Sequence, residues 1–338
     1  MSTVIAQVTR GNLVESQHHG TVVVADTSGK VVASAGDPDE RTYFRSSGKP
    51  FQAVPLVESG AADRFRFSEA ELALACASHD AAPWQQQAVA GMLTKIGLGP
   101  AALRCGSAPP YDEDEAARVR LKQVAPSPLH SDCSGKHTGM LATCVHLGYP
   151  IDSYLEADHP LQRTILEVMA AVLRLPADQI DRAPDGCSVP TFGAPIGAFA
   201  VAYATLARPD IVEADAGGSY AVSLNRLRTA MGNSPQHVGG PNNLDTALME
   251  VTRGRVVAKL GAEGLLCLAI ADEGLGIAVS VLDGSARARS EAAFAALDQL
   301  GLLRPGELAS LRDRQTPAVT NFNGWTVGEI RSSFDLRR

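Results

Sequence analysis

A serine stands three residues before a lysine in Ser46-Ser47-Gly48-Lys49, directly ahead of an apolar run that begins at Phe51. Positions i and i+3 lie on one face of a helical turn, so the Lys49 amine is predicted to reach the Ser46 hydroxyl. A serine hydroxyl is a weak nucleophile and needs a neighbouring base. A lysine can be that base where burial or a nearby cation leaves it neutral. The alternative for this short pattern is a helix cap followed by a solvated lysine.

A second pattern, Lys259-x-Gly261, ends a predicted strand beside the predicted strand 264–270. An early Ser-x-x-Lys and a late Lys-Thr-Gly occur in the serine β-lactamases and penicillin-binding enzymes. The glycine would let a substrate approach the backbone, and the lysine charge would lower the pKa of Lys49. Ser78, at the end of an apolar helix, is a third candidate, with a helix cap as the alternative. Each pattern alone has a structural interpretation; together, in this order, they favour catalysis.

Two cysteines in polar turns next to glycine, Cys133 and Cys187, are candidate thiolate ligands for a metal. Zinc takes three or four protein ligands, so Lys136 or His137 would have to complete the set. Buried structural thiols are the alternative interpretation.

Composition limits the classes of function. The chain has 338 residues, 45% of them hydrophobic, and a net charge of −7. This charge argues against a general nucleic-acid or anionic-membrane binder. We find no signal peptide and no run of ~20 apolar residues that would span a membrane. With six scattered cysteines, reduced thiols in the cytoplasm are expected.

Strand patterns lie at both ends of the chain and helical patterns in the middle. The predicted strands are 21–25, 30–33, 255–259, 264–270, 276–282 and 325–331. The predicted helices are 69–77, 84–96, 135–147, 161–173, 195–206 and 220–231. We therefore expect a single α+β catalytic domain over residues 1–338. Strands from about 1–45 and 250–338 would share one antiparallel sheet, and a helical part at about 46–249 would be segregated from it.

Five sequence blocks in order resemble the asparaginase II family, the Rhizobium-etli-type (class 3) L-asparaginases. The blocks are Val14-Glu15-Ser16-Gln17-His18-His19-Gly20, Arg45-Ser46-Ser47-Gly48-Lys49-Pro50, Cys133-Ser134-Gly135-Lys136-His137, Asp185-Gly186-Cys187-Ser188-Val189-Pro190 and Lys259-Leu260-Gly261-Ala262-Glu263-Gly264. They cover essentially the whole chain. The resemblance implies a serine β-lactamase/glutaminase-like fold, hydrolysis of L-asparagine to L-aspartate and ammonia, and a homodimer.

The resemblance also implies two Ser-Lys tandems. Residue by residue, these are Ser46 with Lys49 and Ser78 with Lys259. Which serine is the nucleophile stays open, and we favour Ser46 because local spacing fixes its lysine. Arg45 is a candidate neighbour of the substrate.

A zinc site is implied as well, and it maps onto Cys133, Lys136 and Cys187, with Asp185 nearby. The family has Asn-Asn before the first of these cysteines, whereas this chain has Ser131-Asp132. The added carboxylate could change metal affinity or the electrostatics around the substrate. Zinc is expected to support substrate binding or rigidity, since a Ser-Lys mechanism already has its nucleophile and base.

Two alternatives to an asparaginase remain. One is a glutaminase or another serine acyl-hydrolase of the β-lactamase-like fold. The other is a non-catalytic, metal-binding descendant, against which the presence of Ser46, Lys49, Ser78 and Lys259 argues. His79 is a further candidate neighbour of the substrate.

Overall fold

The computed structural model describes residues 2–123, 125–213, 216–316 and 318–338. The strands are β1 (Thr3–Arg10), β2 (Leu13–Asp26), β3 (Val31–Ala35), β4 (Arg41–Tyr43), β5 (Asp181–Pro184), β6 (Pro190–Pro195), β7 (Val256–Leu260), β8 (Leu266–Ile270), β9 (Leu275–Val281), β10 (Val319–Thr320), β11 (Thr326–Gly328) and β12 (Ile330–Ser332). The α-helices are α1 (Lys49–Gln52), α2 (Val54–Glu58), α3 (Ala61–Arg64), α4 (Glu69–Ala75), α5 (Pro83–Lys95), α6 (Glu113–Leu121), α7 (Ser134–Leu147), α8 (Pro160–Leu173), α9 (Ile196–Ala207), α10 (Ala221–Asn233), α11 (Pro235–Gly239), α12 (Leu244–Val251), α13 (Ala286–Gln299) and α14 (Glu307–Gln315).

The main sheet combines strands from the two ends of the chain. Its order is β12-β1-β2-β9-β8-β7, with β3 also paired to β2, and every pair is antiparallel. The predicted α+β architecture, with an antiparallel sheet built from both termini, is confirmed. No helix in the described parts of the chain is both long and apolar enough to cross a bilayer.

The sheet separates two hydrophobic cores because alternate residues of a strand face opposite sides. Val23 and Ala25 of β2 belong to the core shared with α4, α7, α8 and α9. Val22 and Val24 belong to the core shared with α12, α13 and α14. Helix α9 lies close against β9, since a Cβ added to Gly276 would overlap the backbone of α9. The helical part is thus fixed to one face of the sheet.

The predicted helices are confirmed to within two residues at each end. The single strand predicted at 325–331 is wrong in detail. It is two strands: β11 pairs with β10, and β12 pairs with β1. The chain changes partner at Glu329, whose N–H and C=O both bond to Thr9. A small sheet, β4-β6-β5, takes β5 and β6 from the part expected to be helical and β4 from the part expected to join the main sheet.

Candidate active site

The turn Arg45–Gly48 carries the first predicted serine. The Arg45 N–H donates to Oγ1 of Thr191 at 3.1 Å, and its Nε donates to Oδ1 of Asp185 at 2.8 Å. Arg45 has a φ of 47°, a left-handed conformation that residues other than glycine keep only where their surroundings enforce it. These contacts present Ser46, which is partly exposed, at a strained turn directly before α1.

Lys49 at the start of α1 reaches a different serine from the one that its spacing predicts. Its side chain is fully buried, and Nζ donates to the Ala77 carbonyl at 2.7 Å and to Oγ of Ser78 at 2.8 Å. It also lies 3.3 Å from Oδ2 of Asp132. Within the described chain, the hydroxyl of Ser46 makes no hydrogen bond to Lys49 or to any other group. The predicted Ser46–Lys49 contact is therefore replaced by a Ser78–Lys49 contact.

Helices α4 and α7 bring Ser78 and Asp132 together. They pack so closely that a Cβ on Gly135 would overlap the carbonyl of Leu74. The end of α4 therefore lies beside the residues that precede α7, and the His79 N–H donates to the Asp132 carbonyl at 3.2 Å. This close packing explains how two segments distant in sequence both reach Lys49.

Strand β7 lies on the other side of the turn Arg45–Gly48. The buried hydroxyl of Ser47 donates to the carbonyl of Lys259 at 2.8 Å, and the Tyr203 hydroxyl donates to the Ser47 carbonyl at 2.8 Å. A Cβ on Gly261 would lie 3.1 Å from Oγ of Ser47. The glycine of the Lys-x-Gly pattern thus allows the end of β7 to approach the serine turn, and the approach of a substrate to this backbone stays a prediction.

The side chain of Lys259 points to a carboxylate rather than to Ser78. Nζ lies 3.1 Å from Oδ2 of Asp245, and both side chains are 0% exposed. Asp245 also accepts the Leu260 N–H at 2.8 Å through Oδ1. The predicted Ser78–Lys259 contact is not formed in this state. The amine instead pairs with the buried carboxylate, as a buried charge requires.

The pKa values of Lys49 and Lys259 are shifted in opposite directions. Burial alone would lower the pKa of Lys49, but Asp132, Cys133 and Cys187 together outweigh it and raise that pKa above its ordinary value. Burial lowers the pKa of Lys259 in spite of Asp245. The expectation that Lys259 makes Lys49 neutral is therefore wrong for this state, in which Asp132 favours the charged form of Lys49.

His79 fixes the loop after Ser78 and is closed to the substrate. It is fully buried, its Nδ1 accepts the Ala81 N–H at 3.0 Å, and its Nε2 lies 2.7 Å from the Ser134 hydroxyl. Burial lowers its pKa to about 4, so the ring is neutral near pH 7 and Nε2 carries the proton. The ring presents no surface to a small molecule in this state, and its place beside the substrate stays a prediction.

Cys133, Lys136 and Cys187 converge in one buried position. The Lys136 ammonium donates to Sγ of Cys187 at 3.0 Å, and all three residues are at most 5% exposed. Contact with the Cys133 thiol, together with the charge of Lys136, lowers the pKa of Cys187 below its ordinary value. These donors suit zinc once the second thiol and the amine lose their protons. Among the residues that the structure describes, no three His, Cys, Asp or Glu side chains form such a group, so the lysine would be the third ligand.

His137 supports this position from behind. The Tyr154 hydroxyl accepts the Arg104 N–H at 2.9 Å and can donate only to Nδ1 of His137, at 2.8 Å. This arrangement places the ring proton on the buried Nε2, and the His137 side chain interacts with the Cys187 thiol. Because a protonated ring nitrogen cannot bind a metal, His137 fits a supporting role better than that of a ligand.

Sequence reasoning missed three side chains of this site. They are Ser47, Asp245 and Tyr203. Asp245 follows a capping asparagine at the start of α12, where an acidic residue is ordinary. No pattern in the sequence distinguishes it from a surface carboxylate.

The arrangement combines hydroxyls, buried amines and thiols in one region. A serine hydroxyl bonded to a buried lysine provides a nucleophile and a candidate base, the two groups that acyl transfer can use. The partly exposed Ser46 offers a second hydroxyl that a small molecule can reach.

The chain is similar to known proteins in both sequence and structure. Residues 6–332 match the family model described as L-asparaginase II. No curated protein matches this chain. Two crystal structures of a protein called Mglu, in its native form at 4.3 M NaCl and in its glutamate form, match 84% of this chain at 17% identity with a TM-score of 0.39. They are matched over 61% of their own chain, so this chain spans about three fifths of Mglu. Because the family model extends over nearly all of the sequence, the chain belongs to the L-asparaginase II family.

Proposed function

We propose that this protein hydrolyses L-asparagine to L-aspartate and ammonia through a serine acyl-enzyme. Membership of the L-asparaginase II family supports an amidohydrolase. The observation that supports the Ser-Lys mechanism is the 2.8 Å hydrogen bond from the buried Lys49 amine to Ser78. Lys49 itself follows Ser46 by about one helical turn. The family resemblance further suggests a homodimer, and the six scattered cysteines favour a reducing, cytoplasmic location.

Ser46 is the proposed nucleophile because its hydroxyl is partly exposed and free of hydrogen bonds within the described chain. Its oxygen attacks the side-chain amide carbon, and its proton passes through the Ser78 hydroxyl to the Lys49 amine, which must first lose the proton that Asp132 favours in this state. The protonated Lys49 then gives a proton to the departing ammonia. Water cleaves the ester, with the same lysine as base, and releases L-aspartate.

Ser78 is the second candidate nucleophile. Its hydroxyl already contacts Lys49, whereas that of Ser46 does not. Against this assignment, Ser78 is only 8% exposed, so the substrate would need an opening of the loop to reach it. Both assignments use the same lysine and give the same products.

Cys133, Lys136 and Cys187 are the proposed zinc ligands. Zinc, when bound, would supply a positive charge that orients the substrate and would tie α7 to the loop before β6. The chain's own residues provide the nucleophile and the base without it. Lys136 must lose a proton before it can bind the metal.

The test measures the ammonia that purified protein releases from L-asparagine and from L-glutamine, and the colour change that follows ring opening of a chromogenic β-lactam. We expect the highest kcat/KM with L-asparagine and none for the variant that carries both Ser46→Ala and Ser78→Ala. A higher kcat/KM with L-glutamine than with L-asparagine would change the proposed substrate and leave the proposed mechanism as it is. Absence of release from every amide would contradict the proposed function.

A further inference from the structure

The carboxylate of Asp80, two residues after Ser78, has no cationic partner among the described residues. The three buried lysines each have an anionic or thiol partner: Lys49 with Asp132, Lys259 with Asp245, and Lys136 with Cys187. Within the described residues, no lysine, arginine or histidine nitrogen lies within 4.0 Å of the Asp80 carboxylate, and its oxygens accept no hydrogen bond. The Asp80 carboxylate must therefore be solvated by water or paired with a cationic group of a ligand.

The backbone around Asp80 is held in a fixed turn. Its carbonyl accepts the Asp112 N–H at 2.8 Å. The next residue, Ala81, has a φ of 63° and donates its N–H to the His79 ring. A left-handed alanine is maintained only by such surrounding contacts. The turn therefore presents the Asp80 side chain in one direction, next to the loop of Ser78.

Asp80 is also incompletely buried, which leaves it accessible to a small molecule. One carboxylate oxygen lies against Gly240, where the Cβ of any other residue would overlap it. Burial, together with the charges of Asp112 and Asp245, raises the pKa of Asp80 to about 6. Such an environment makes the carboxylate charge unfavourable until a cation arrives.

The amino-acid substrate carries such a cation at a suitable place. In L-asparagine only Cα and Cβ separate the reacting amide carbon from the α-ammonium group. Asp80 lies two residues after Ser78, a span of at most ~7 Å along an extended chain. Because the proposed relay also brings Ser78 into contact with Ser46, an amide carbon held beside these two hydroxyls brings its α-ammonium group to this segment of the chain.

We propose that Asp80 binds the α-ammonium group of the substrate and so selects amides that carry an α-amine. This inference rests on the proposed function, since it concerns how the same site recognises its substrate. It assigns the substrate class by charge: an α-amino acid amide binds, and its analogue without the amine does not.

The test compares ligands that differ only in the α-amine. L-Aspartate and succinate are used as competitive inhibitors, and L-asparagine and succinamate as substrates. For the wild type we expect L-aspartate to bind about 10- to 100-fold more tightly than succinate, because a charge-assisted hydrogen bond contributes on that scale. Asp80→Asn should reduce the ratio to within about threefold and leave the values for succinate and succinamate unchanged.

Asp112→Asn is the matched control. Asp112 contributes to the electrostatic environment of Asp80 but caps α6 through the Glu115 N–H, and asparagine caps equally well. It should keep the wild-type ratio. Asp80→Ala is the second variant, and its melting temperature shows whether the turn survives.

Three outcomes overturn the inference. The first is a wild type that hydrolyses L-asparagine together with an Asp80→Asn variant that keeps the ratio of L-aspartate to succinate affinity. The second is an equal loss of affinity for both ligands in Asp80→Asn, which would indicate a structural role. Finally, a wild type that releases no ammonia from L-asparagine or succinamate refutes the proposed function itself, and the role of Asp80 with it.

Discussion

Lys49 donates a hydrogen bond to Ser78 at 2.8 Å, although Ser46 is the serine three residues before it in the chain. The spacing places Ser46 and Lys49 on one face of the turn, but the long lysine side chain extends inward to the end of α4. There it meets the Ala77 carbonyl and the Asp132 carboxylate as well. Lys49 consequently connects the serine turn to the loop before α7.

The first prediction separates the two serines. Ser46→Ala should lower kcat by at least about 10³-fold, because loss of a covalent nucleophile cannot be replaced. Ser78→Ala should lower kcat less, since water can occupy the position of the hydroxyl. Peptide mapping after rapid acid quench of the wild-type reaction should find the acyl group on Ser46.

Ser59→Ala is the control for this comparison, because Ser59 follows α2 and contacts only the local backbone. An acyl group on Ser78 would reverse the assignment. Retention of a tenth or more of the wild-type kcat by both single variants would remove the acyl-enzyme mechanism altogether.

The second prediction concerns the buried pair of Lys259 and Asp245. Asp245→Asn leaves a buried amine without its counter-charge and should lower the free energy of unfolding by about 3 kcal/mol, as for other broken buried pairs. Adding Lys259→Met should recover at least half of that loss because no charge then remains buried. Urea unfolding monitored by circular dichroism measures both effects.

Asp298→Asn, on the exposed surface at the end of α13, should change the free energy of unfolding by less than about 0.5 kcal/mol. The prediction is wrong if Asp245→Asn is as stable as this control. It is also wrong if the double variant is less stable than the single one.

The helices could be predicted because their patterns are local. The apolar face of α8 repeats with helical spacing, and its side chains Ile165, Val168 and Val172 are fully buried. Proline at its first position and a left-handed residue after its end mark its bounds. Hairpin patterns also predict the pairing of β8 with β9, which a tight turn joins, whereas the pairing of β2 with β9 across the two termini is not local.

The contacts of the lysines could not be predicted because they depend on tertiary packing. Whether Lys49 meets Ser46 or Ser78 is decided by the approach of α4 to α7 at Gly135, which no local pattern encodes. Lys259 was predicted on the correct strand, but its partner Asp245 comes from a helix in the opposite core. Sequence therefore identified the reactive residues without identifying their pairs.

The third prediction is a pH dependence of stability at Glu115. Hydrogen bonds from Arg118, and further ones from Gln86 and His130, lower the pKa of this buried carboxyl to about 2. The unfolded chain has an ordinary value of ~4.3. The stabilisation is therefore complete above about pH 4.3 and is lost as the pH falls through 2.

Glu115→Gln should be less stable than the wild type by about 1–2 kcal/mol at pH 7, allowing for the half-exposed Arg118. This difference should shrink as the pH falls from 5 towards 2. The same substitution at Glu329, which is 67% exposed, should show no such trend. A difference that stays constant from pH 7 to pH 2 would refute the role of the shifted pKa.

The last prediction concerns the metal. Protein purified without chelator should contain about one zinc per chain by elemental analysis, and Cys133→Ser should contain none, because two thiolates and one amine leave no spare protein ligand. Removal of the metal should lower the melting temperature and raise KM more than it lowers kcat, since the serines and Lys49 supply the nucleophile and the base.

Cys144→Ser is the control, as Cys144 is buried on α7 away from the three ligands, and it should keep its zinc. If chelation abolishes kcat while KM and the melting temperature stay unchanged, the metal takes part in the reaction. If metal-free wild type turns over L-asparagine normally and binds no added zinc, the assignment of Cys133, Lys136 and Cys187 fails, and the carboxylate of Asp132 beside Cys133 is the first difference from the family to revert, as Asp132→Asn.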